Sequence, residues 1–157
     1  MKRISRAKIR LSHQINNYFC GPAVIVTVLA AYNIHTTQRK AARRARTNKT
    51  IGTGTKGLVR ALRSFGARVE AGKSTLEDIH RAFRSGLTVI VCYTEPYYDS
   101  GHFAIVAGFR GKNILLLSPD ERGNRATAMA LKEFQERWKD PLFTRSRRWA
   151  AYVQVRK

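Results

Sequence analysis

The sequence is poor in acidic side chains and in cysteine, and it contains no long apolar run. Ten Asp and Glu stand against thirty Lys and Arg, so the formal net charge is +20. The longest apolar run, residues 23–32, is interrupted by Thr27 and is too short to cross a bilayer. We therefore expect a buried helix there and no transmembrane segment.

Cysteine and histidine are too few and too scattered to suggest a metal centre. The chain has two cysteines, Cys20 and Cys92, and four histidines, without C-x-x-C or H-E-x-x-H spacing. We therefore expect no metal and no cofactor. The basic segment 1–13 lacks the apolar stretch of a secretory signal. We expect a reducing, cytoplasmic compartment, in which the two cysteines have little reason to pair.

The net charge indicates a class of partner rather than a fold. An excess of this size attracts polyanions such as RNA, DNA, anionic lipid or an acidic protein, and the attraction depends on salt. Basic residues are concentrated in residues 38–46, QRKAARRAR, and in residues 145–148, RSRR. The alternative is a solvated basic surface that binds nothing. The sequence leaves both open and gives no oligomeric state.

The order of the predicted elements indicates an α+β fold. The length fits one domain over residues 1–157, with residues 1–13 as a basic leader. Helical patterns occur at residues 23–32, 38–46, 56–65, 74–84 and 127–138. Strand patterns occur at residues 67–71, 87–93, 102–109, 114–117 and 149–155. We therefore predict an N-terminal helical layer packed on an antiparallel sheet.

Local signals predict how these elements begin and connect. Asn16 or Asn17 can cap the first helix, and Pro22 suits its first turn. Ser74 and Glu77 have the spacing of a capping box for the fourth helix. The turn at residues 110–113, RGKN, joins two strands into a hairpin.

A cysteine stands where the first helix begins, in the stretch QINNYFCGPA at residues 14–23. The free N–H groups and the macrodipole at a helix N-terminus favour an anion, so the thiol of Cys20 is drawn towards thiolate. A thiolate is the nucleophile that attacks an amide carbonyl. The side-chain NH₂ of Gln14 can donate to the oxyanion that forms, beside the backbone N–H of Cys20. The alternative is that Cys20 is a small buried core residue.

His102 is the histidine best placed to act as a base. It opens an apolar strand after the loop YYDSG, and a strand end can hold a side chain rigidly at a surface. The hairpin brings the Ser118-Pro119-Asp120 turn back beside it, so Ser118 or Asp120 can bond the far ring nitrogen. The alternatives are an ordinary strand-end histidine and an ordinary turn.

Three segments together resemble a known family. The block Q-x5-C-G-P-A, the strand GHFAIVAGF and the segment ILLLSPD are similar to papain-like cysteine peptidases of the bacteriocin-processing family. The best-known members of that family remove double-glycine leader peptides. The likeness runs from Gln14 to about Trp138 and includes the helix LKEFQERW. It implies a papain-like fold.

The resemblance also implies a role for each matched residue. Cys20 matches the nucleophile, Gln14 the oxyanion-hole glutamine and His102 the general base. The family usually has Asp immediately before Pro, where this chain has Ser118. Asp120 then substitutes from two residues on, or Ser118 orients the ring weakly, or activity is reduced or lost.

Two further departures limit what the resemblance implies. Phe19 stands where the family often has an acidic residue before the cysteine. The transmembrane segment and the ATPase domain of the best-known relatives are not found in this sequence, so we expect a free-standing peptidase rather than leader cleavage coupled to export.

Two hypotheses of different classes follow. The first is a thiol peptidase acting on a peptide or protein, with Cys20, His102, Asp120 and Gln14 as its site. Acyl transfer would use the same acyl-enzyme, and the sequence does not separate it from hydrolysis. The second is a papain-like domain with weak or lost turnover, whose basic surface binds nucleic acid or a ribonucleoprotein.

Overall fold

The computed structural model describes residues 9–120, 125–143 and 147–155, and in these ranges it places five helices against a six-stranded sheet. The helices are α1 (Cys20–Ala31), α2 (Gln38–Ala45), α3 (Thr55–Ser64), α4 (Leu76–Arg84) and α5 (Leu131–Arg137). The strands are β1 (Arg68–Lys73), β2 (Thr88–Thr94), β3 (Gly101–Arg110), β4 (Asn113–Leu117), β5 (Thr127–Ala130) and β6 (Trp149–Gln154). Most of the basic leader, and half of the basic run at 145–148, lie outside the described residues.

The sheet is antiparallel throughout, in the order β1-β6-β2-β3-β4-β5. The predicted hairpin of β3 and β4 is confirmed, and so is the α+β fold class. The last strand, β6, does not close the sheet at an edge but pairs with β1 on one side and β2 on the other. In the pairing of β2 with β3, Tyr93 lies opposite His102.

Helices cover both faces of the sheet, each over its own apolar core. On one face α1, α2 and α3 bury side chains such as Ile25, Leu29 and Leu62. On the other face α4 and α5 bury Ile79 and Phe134. The predicted N-terminal helical layer is therefore right for α1–α3, but a second layer covers the opposite face. The strand β2 is buried on both sides, which explains why residues 89–93 are all apolar or aromatic instead of alternating with polar residues.

The first helix confirms the prediction of a buried helix. Its apolar side chains are almost wholly enclosed, and Val24, Ile25 and Leu29 have no measurable exposure. Across the described ranges, no helix has both the length and the apolar composition that crossing a bilayer requires. The layer is tight where α2 meets α3, because a Cβ added to Gly57 would collide with the backbone oxygen of Ala45.

Both predicted helix caps are wrong in detail. Phe19 is the N-cap of α1, and no side chain of the described residues caps it. The Asn16 carboxamide instead accepts the N–H of Tyr18, because a short amide side chain competes well for a turn of its own. The capping box of α4 is formed by Thr75 and Asp78, one residue later than predicted.

The predicted helix at residues 127–138 is wrong over its first four residues, which form β5. Thr127 to Ala130 pair with the exposed edge of β4, and Met129 packs into the core beneath. Tertiary pairing therefore outweighs the local helical pattern. The helix α5 begins at Leu131, whose N–H donates to the carbonyl of Lys112.

Candidate active site

Cys20 is the first residue of α1 and lies against the start of β3. Its thiol is hydrogen-bonded to the side chain of His102 and accepts from the backbone N–H groups of Phe103 and Gly21. The residue is partly exposed, whereas Cys92, in the middle of β2, is only 3% exposed. The two cysteines are not joined by a disulfide. The fold thus presents one of them to solvent, beside an imidazole.

The surroundings of Cys20 favour its thiolate. Burial raises the pKa of the Cys20 thiol, but the hydrogen bond and the charge of His102 lower it, as do the N–H groups of Phe103 and Gly21. The lowering effects are the larger in sum, and the pKa lies below its ordinary value. The uncapped N-terminus of α1 adds its dipole in the same direction.

His102 is held from the side opposite Cys20. The ring is buried, and its Nε2 lies 2.6 Å from Oγ of Ser118 and 3.3 Å from Oδ1 of Asp120. The Ser118 hydroxyl also donates a short hydrogen bond to Asp120. Tyr93 packs edge-on against the ring, with centroids 6.1 Å apart. Since Nε2 is engaged on this side, Nδ1 is left to face Cys20.

The charges of this group are coupled. Burial lowers the pKa of His102, but the Asp120 carboxylate and the Cys20 sulfur raise it by more than burial lowers it. The resulting pKa is about 10. The bond from His102 lowers the pKa of Asp120 to about 2. Near neutral pH the arrangement therefore favours a thiolate, an imidazolium and a carboxylate in sequence.

Gln14 is joined to the site through its backbone. Its N–H donates to the carbonyl of Pro119 at 3.0 Å, which ties the loop before α1 to the Ser118–Asp120 turn. Its side-chain NH₂ donates to the carbonyl of Asn16 at 2.8 Å, and its Oε1 is buried without a hydrogen-bond partner among the described residues. The amide group is therefore held within its own loop rather than bonded to Cys20.

The structure brings four of the five predicted side chains into direct contact: Cys20, His102, Ser118 and Asp120. Sequence reasoning missed the contributions of Phe103 and Tyr93 to this group. Antiparallel pairing of β2 with β3 is the signal that finds Tyr93, because register places it opposite His102. No signal in the sequence pointed to the backbone N–H of Phe103.

A loop at residues 95–100 borders the site on the Asp120 side. The buried carboxylate of Glu95 accepts the N–H groups of Tyr97 and Tyr98, and Arg137 bonds Asp99 at 3.2 Å. Both tyrosine side chains are more than four-fifths exposed. A cavity of about 320 Å³ lies under this loop and is lined by Tyr93, Glu95, Pro96, Tyr97, Tyr98, Leu116, Ser118, Asp120, Thr127 and Met129.

The loop meets β3 at Gly101, which the side chain of Asp140 approaches closely. A Cβ there would overlap the carboxylate of Asp140, so a larger residue would require that side chain to move. The site is built from nucleophile, imidazole and carboxylate without a cluster of metal ligands: within the described ranges, no three His, Cys, Asp or Glu residues are grouped to hold an ion.

The fold is that of a papain-like cysteine peptidase. The family model of the Peptidase C39 family matches residues 8–148, so the chain belongs to this family. The resemblance predicted from the sequence is thereby confirmed. An uncharacterized protein of Methanothermobacter thermautotrophicus is 31% identical over 106 residues, which is 68% of each chain.

Solved structures of the same fold are more distant in sequence. The peptidase domain of Streptococcus ComA, a bifunctional ABC transporter involved in quorum sensing, matches with a TM-score of 0.76 at 22% identity, covering 94% of this chain and 99% of that one. A double glycine motif protease from an AMS/PCAT transporter, solved with its leader peptide, matches at 0.72 and 17% identity, covering 96% and 94%. These likenesses establish a shared fold.

Proposed function

We propose that this protein is a cysteine peptidase that hydrolyses peptide bonds with Cys20 as nucleophile and His102 as proton carrier. The observation that carries the proposal is a single chain of contacts. The Cys20 thiol bonds one side of the His102 ring, and Ser118 and Asp120 bond the other side. A nucleophile, a base and a group that orients the base are the three parts that acyl transfer requires.

The first step is attack by the thiolate. The Cys20 sulfur forms a bond to the carbonyl carbon of the substrate, and the C=O electron pair moves onto oxygen. The backbone N–H of Cys20, at the N-terminus of α1 that no described side chain caps, donates to this developing charge. Gln14 supplies a second donor from its NH₂ group, one hydrogen of which already bonds Asn16. Hydrogen bonds in a free enzyme often realign once substrate is bound.

Proton transfer then completes the cycle. The His102 imidazolium gives its proton to the leaving nitrogen as the C–N bond breaks, leaving a thioester on Cys20. Neutral His102 next takes a proton from water, whose oxygen attacks the thioester carbon. The carboxylic acid leaves, and the sulfur returns to thiolate as the ring regains its charge.

Ser118 and Asp120 share the task that one carboxylate has in the wider family. The Ser118 oxygen accepts a hydrogen bond from Nε2 of His102, and its hydroxyl donates one to Asp120. Asp120 also lies within 3.3 Å of Nε2. The negative charge thus reaches the ring both directly and through a hydroxyl, which fixes the ring and stabilises its protonated form.

The substrate is a peptide or protein. The double glycine motif named for one structural relative makes a Gly-Gly peptide the first substrate to test. A cytoplasmic location and a single domain over residues 1–157 stay predictions from the sequence.

The test is cleavage of a library of internally quenched peptides, some with a central Gly-Gly pair, with products located by mass spectrometry. Wild-type protein should cleave a subset of them, and Cys20→Ala should cleave none. The Cys92→Ala variant is the matched control and should keep wild-type rates. The proposal would be contradicted if Cys20→Ala still cleaved peptides, or if wild-type protein cleaved none of them.

A further inference from the structure

A second cavity lies beside the segment that leads into Cys20. Its volume is about 700 Å³, and Tyr18 and Phe19 form part of its wall. The remaining wall comes from α2 and the turn that follows it: Arg39, Ala42, Arg43, Arg46, Thr47, Asn48 and Lys49. Four of these residues are cations, and none is an acid. The cavity is therefore strongly positive.

The cations of this cavity lie along α2 and the turn after it, and Arg43 stands in the last turn of the helix, where a cation suits the helix dipole. Arg39, Arg43 and Arg46 stand at i, i+4 and i+7, so they form one stripe, and all three are exposed. Neither they nor Lys49 form an ion pair with any of the described residues. Like charges at this spacing destabilise a helix. Their neighbour Arg44 differs, since it bonds Ser64 and stacks on a phenylalanine ring.

The position of the cavity joins it to the chemistry. Tyr18 and Phe19 immediately precede Cys20, so this wall of the cavity lies within two residues of the proposed nucleophile. The cavity on the Asp120 side of the site differs, since no Lys or Arg lines it and its two carboxylates, Glu95 and Asp120, are already engaged. A peptide across the site would therefore meet a group of cations on one side and none on the other.

We propose that the cationic cavity is a subsite for an acidic side chain, Asp or Glu, of the peptide substrate. The inference rests on the proposed peptidase function and adds a specificity to it. Opposite charge across an otherwise exposed contact favours the matched substrate, and the effect weakens with salt. The subsite selects acids on one side of the scissile bond, because only one of the two cavities is lined by cations.

The first test compares matched substrates. Internally quenched decapeptides with one Glu, moved position by position across the cleaved bond, are compared with the same peptides carrying Gln. With wild-type protein we expect kcat/KM to favour Glu by about fivefold at low ionic strength, only on one side of the bond, and less as NaCl is raised. Equal rates for Glu and Gln at every position would overturn the subsite while leaving the peptidase intact.

The second test changes the cavity. In Arg39→Glu/Arg43→Glu, the preference for Glu should disappear and Lys at the same position should become the better substrate. Arg84→Glu/Lys132→Glu changes the net charge equally, on exposed positions of α4 and α5 across the sheet. It should keep the wild-type ratio. A ratio that falls equally in both double variants would mean that only the overall charge matters, which overturns the proposal.

A third measurement does not need turnover. Cys20→Ala is titrated with fluorescein-labelled Glu and Gln peptides, and binding is followed by anisotropy. Tighter binding of the Glu peptide that is lost with Arg39→Glu/Arg43→Glu supports the subsite even if no peptide is cleaved. Equal binding of both peptides overturns it. Binding of a labelled oligo-dT is measured in the same way. If it depends on the two arginines and the Glu peptide does not displace it, the cavity binds nucleic acid instead, and the proposal is overturned.

Discussion

The hydroxyl of Ser118 lies 2.6 Å from Nε2 of His102 and at the same time donates to Asp120. Asp120, the proposed orienting carboxylate, lies two residues beyond the position that the family resemblance gives it, and Ser118 occupies that position. Both side chains contact the same ring nitrogen. In the proposed peptidase this pair of contacts takes the place of the single Asp before Pro.

Removal of Ser118 should weaken the site without abolishing it. In Ser118→Ala, Asp120 can still bond His102 directly, so we expect kcat/KM to fall by about tenfold, the effect of losing one hydrogen bond to a charged group. Ser85→Ala removes an exposed hydroxyl on the far side of the sheet and should have no effect. A loss as large as that in Asp120→Ala would mean that Asp120 acts on the ring only through the serine.

A double variant tests the displaced carboxylate directly. Asp120→Ala should lose most activity, because the imidazolium loses its counter-charge. Adding Ser118→Asp to that variant returns the carboxylate to the family position and should recover a large part of kcat/KM. Peptide cleavage and circular dichroism together check this. No recovery in a folded double variant would contradict the assigned role of Asp120.

Gln14 should act on the chemical step rather than on substrate binding. Gln14→Glu keeps the backbone bond to Pro119 but replaces the NH₂ donor with an acceptor. We expect kcat to fall by about a hundredfold or more with KM little changed, as for other oxyanion-hole donors. The melting temperature should fall, because the variant also loses the bond to Asn16, so kcat is compared under conditions in which both proteins are folded. Full activity in Gln14→Glu would show that the amide never leaves Asn16.

The pH profile of kcat/KM should be broad. The reactive form needs ionised Cys20 and protonated His102, so activity rises through the lowered pKa of Cys20 and falls as pH passes about 10, where His102 loses its proton. Because the folded pKa of His102 is raised, its contribution to stability is complete below pH 6.5 and is lost towards pH 10. In Asp120→Asn the alkaline limb should move to lower pH. An unmoved limb would contradict the coupling.

Packing between α2 and α3 should depend on Gly57. Gly57→Ala would drive a methyl group into the backbone oxygen of Ala45, so we expect a loss of about 1–3 kcal/mol in the free energy of unfolding. Gly72→Ala is the control, because nothing lies within contact distance of a Cβ there. Urea denaturation followed by circular dichroism measures both. Equal stability of the two variants would contradict this contact.

The sequence was sufficient for features with a local or repeating signal. The apolar run of α1, the hairpin of β3 and β4, and the meeting of His102 with the Ser118–Asp120 turn all follow from periodicity and turn chemistry. It failed where a distant partner decides the outcome. Residues 127–130 form a strand because the edge of β4 is available to them. The sequence also missed one local contact. The Gln14 amide bonds the carbonyl of Asn16, and residue spacing does not tell which of several neighbouring acceptors an amide will bond.

Alkylation of the two cysteines tests the central claim most directly. Iodoacetamide is added at about pH 6, where an ordinary thiol is protonated, and modification of Cys20 and Cys92 is followed by peptide mass spectrometry. We predict that Cys20 reacts much faster than Cys92, and that His102→Ala, in which Cys20 is no less accessible, slows Cys20 strongly. Slow and equal labelling of both thiols, or a Cys20 rate that His102→Ala leaves unchanged, would contradict a thiolate activated by that imidazole.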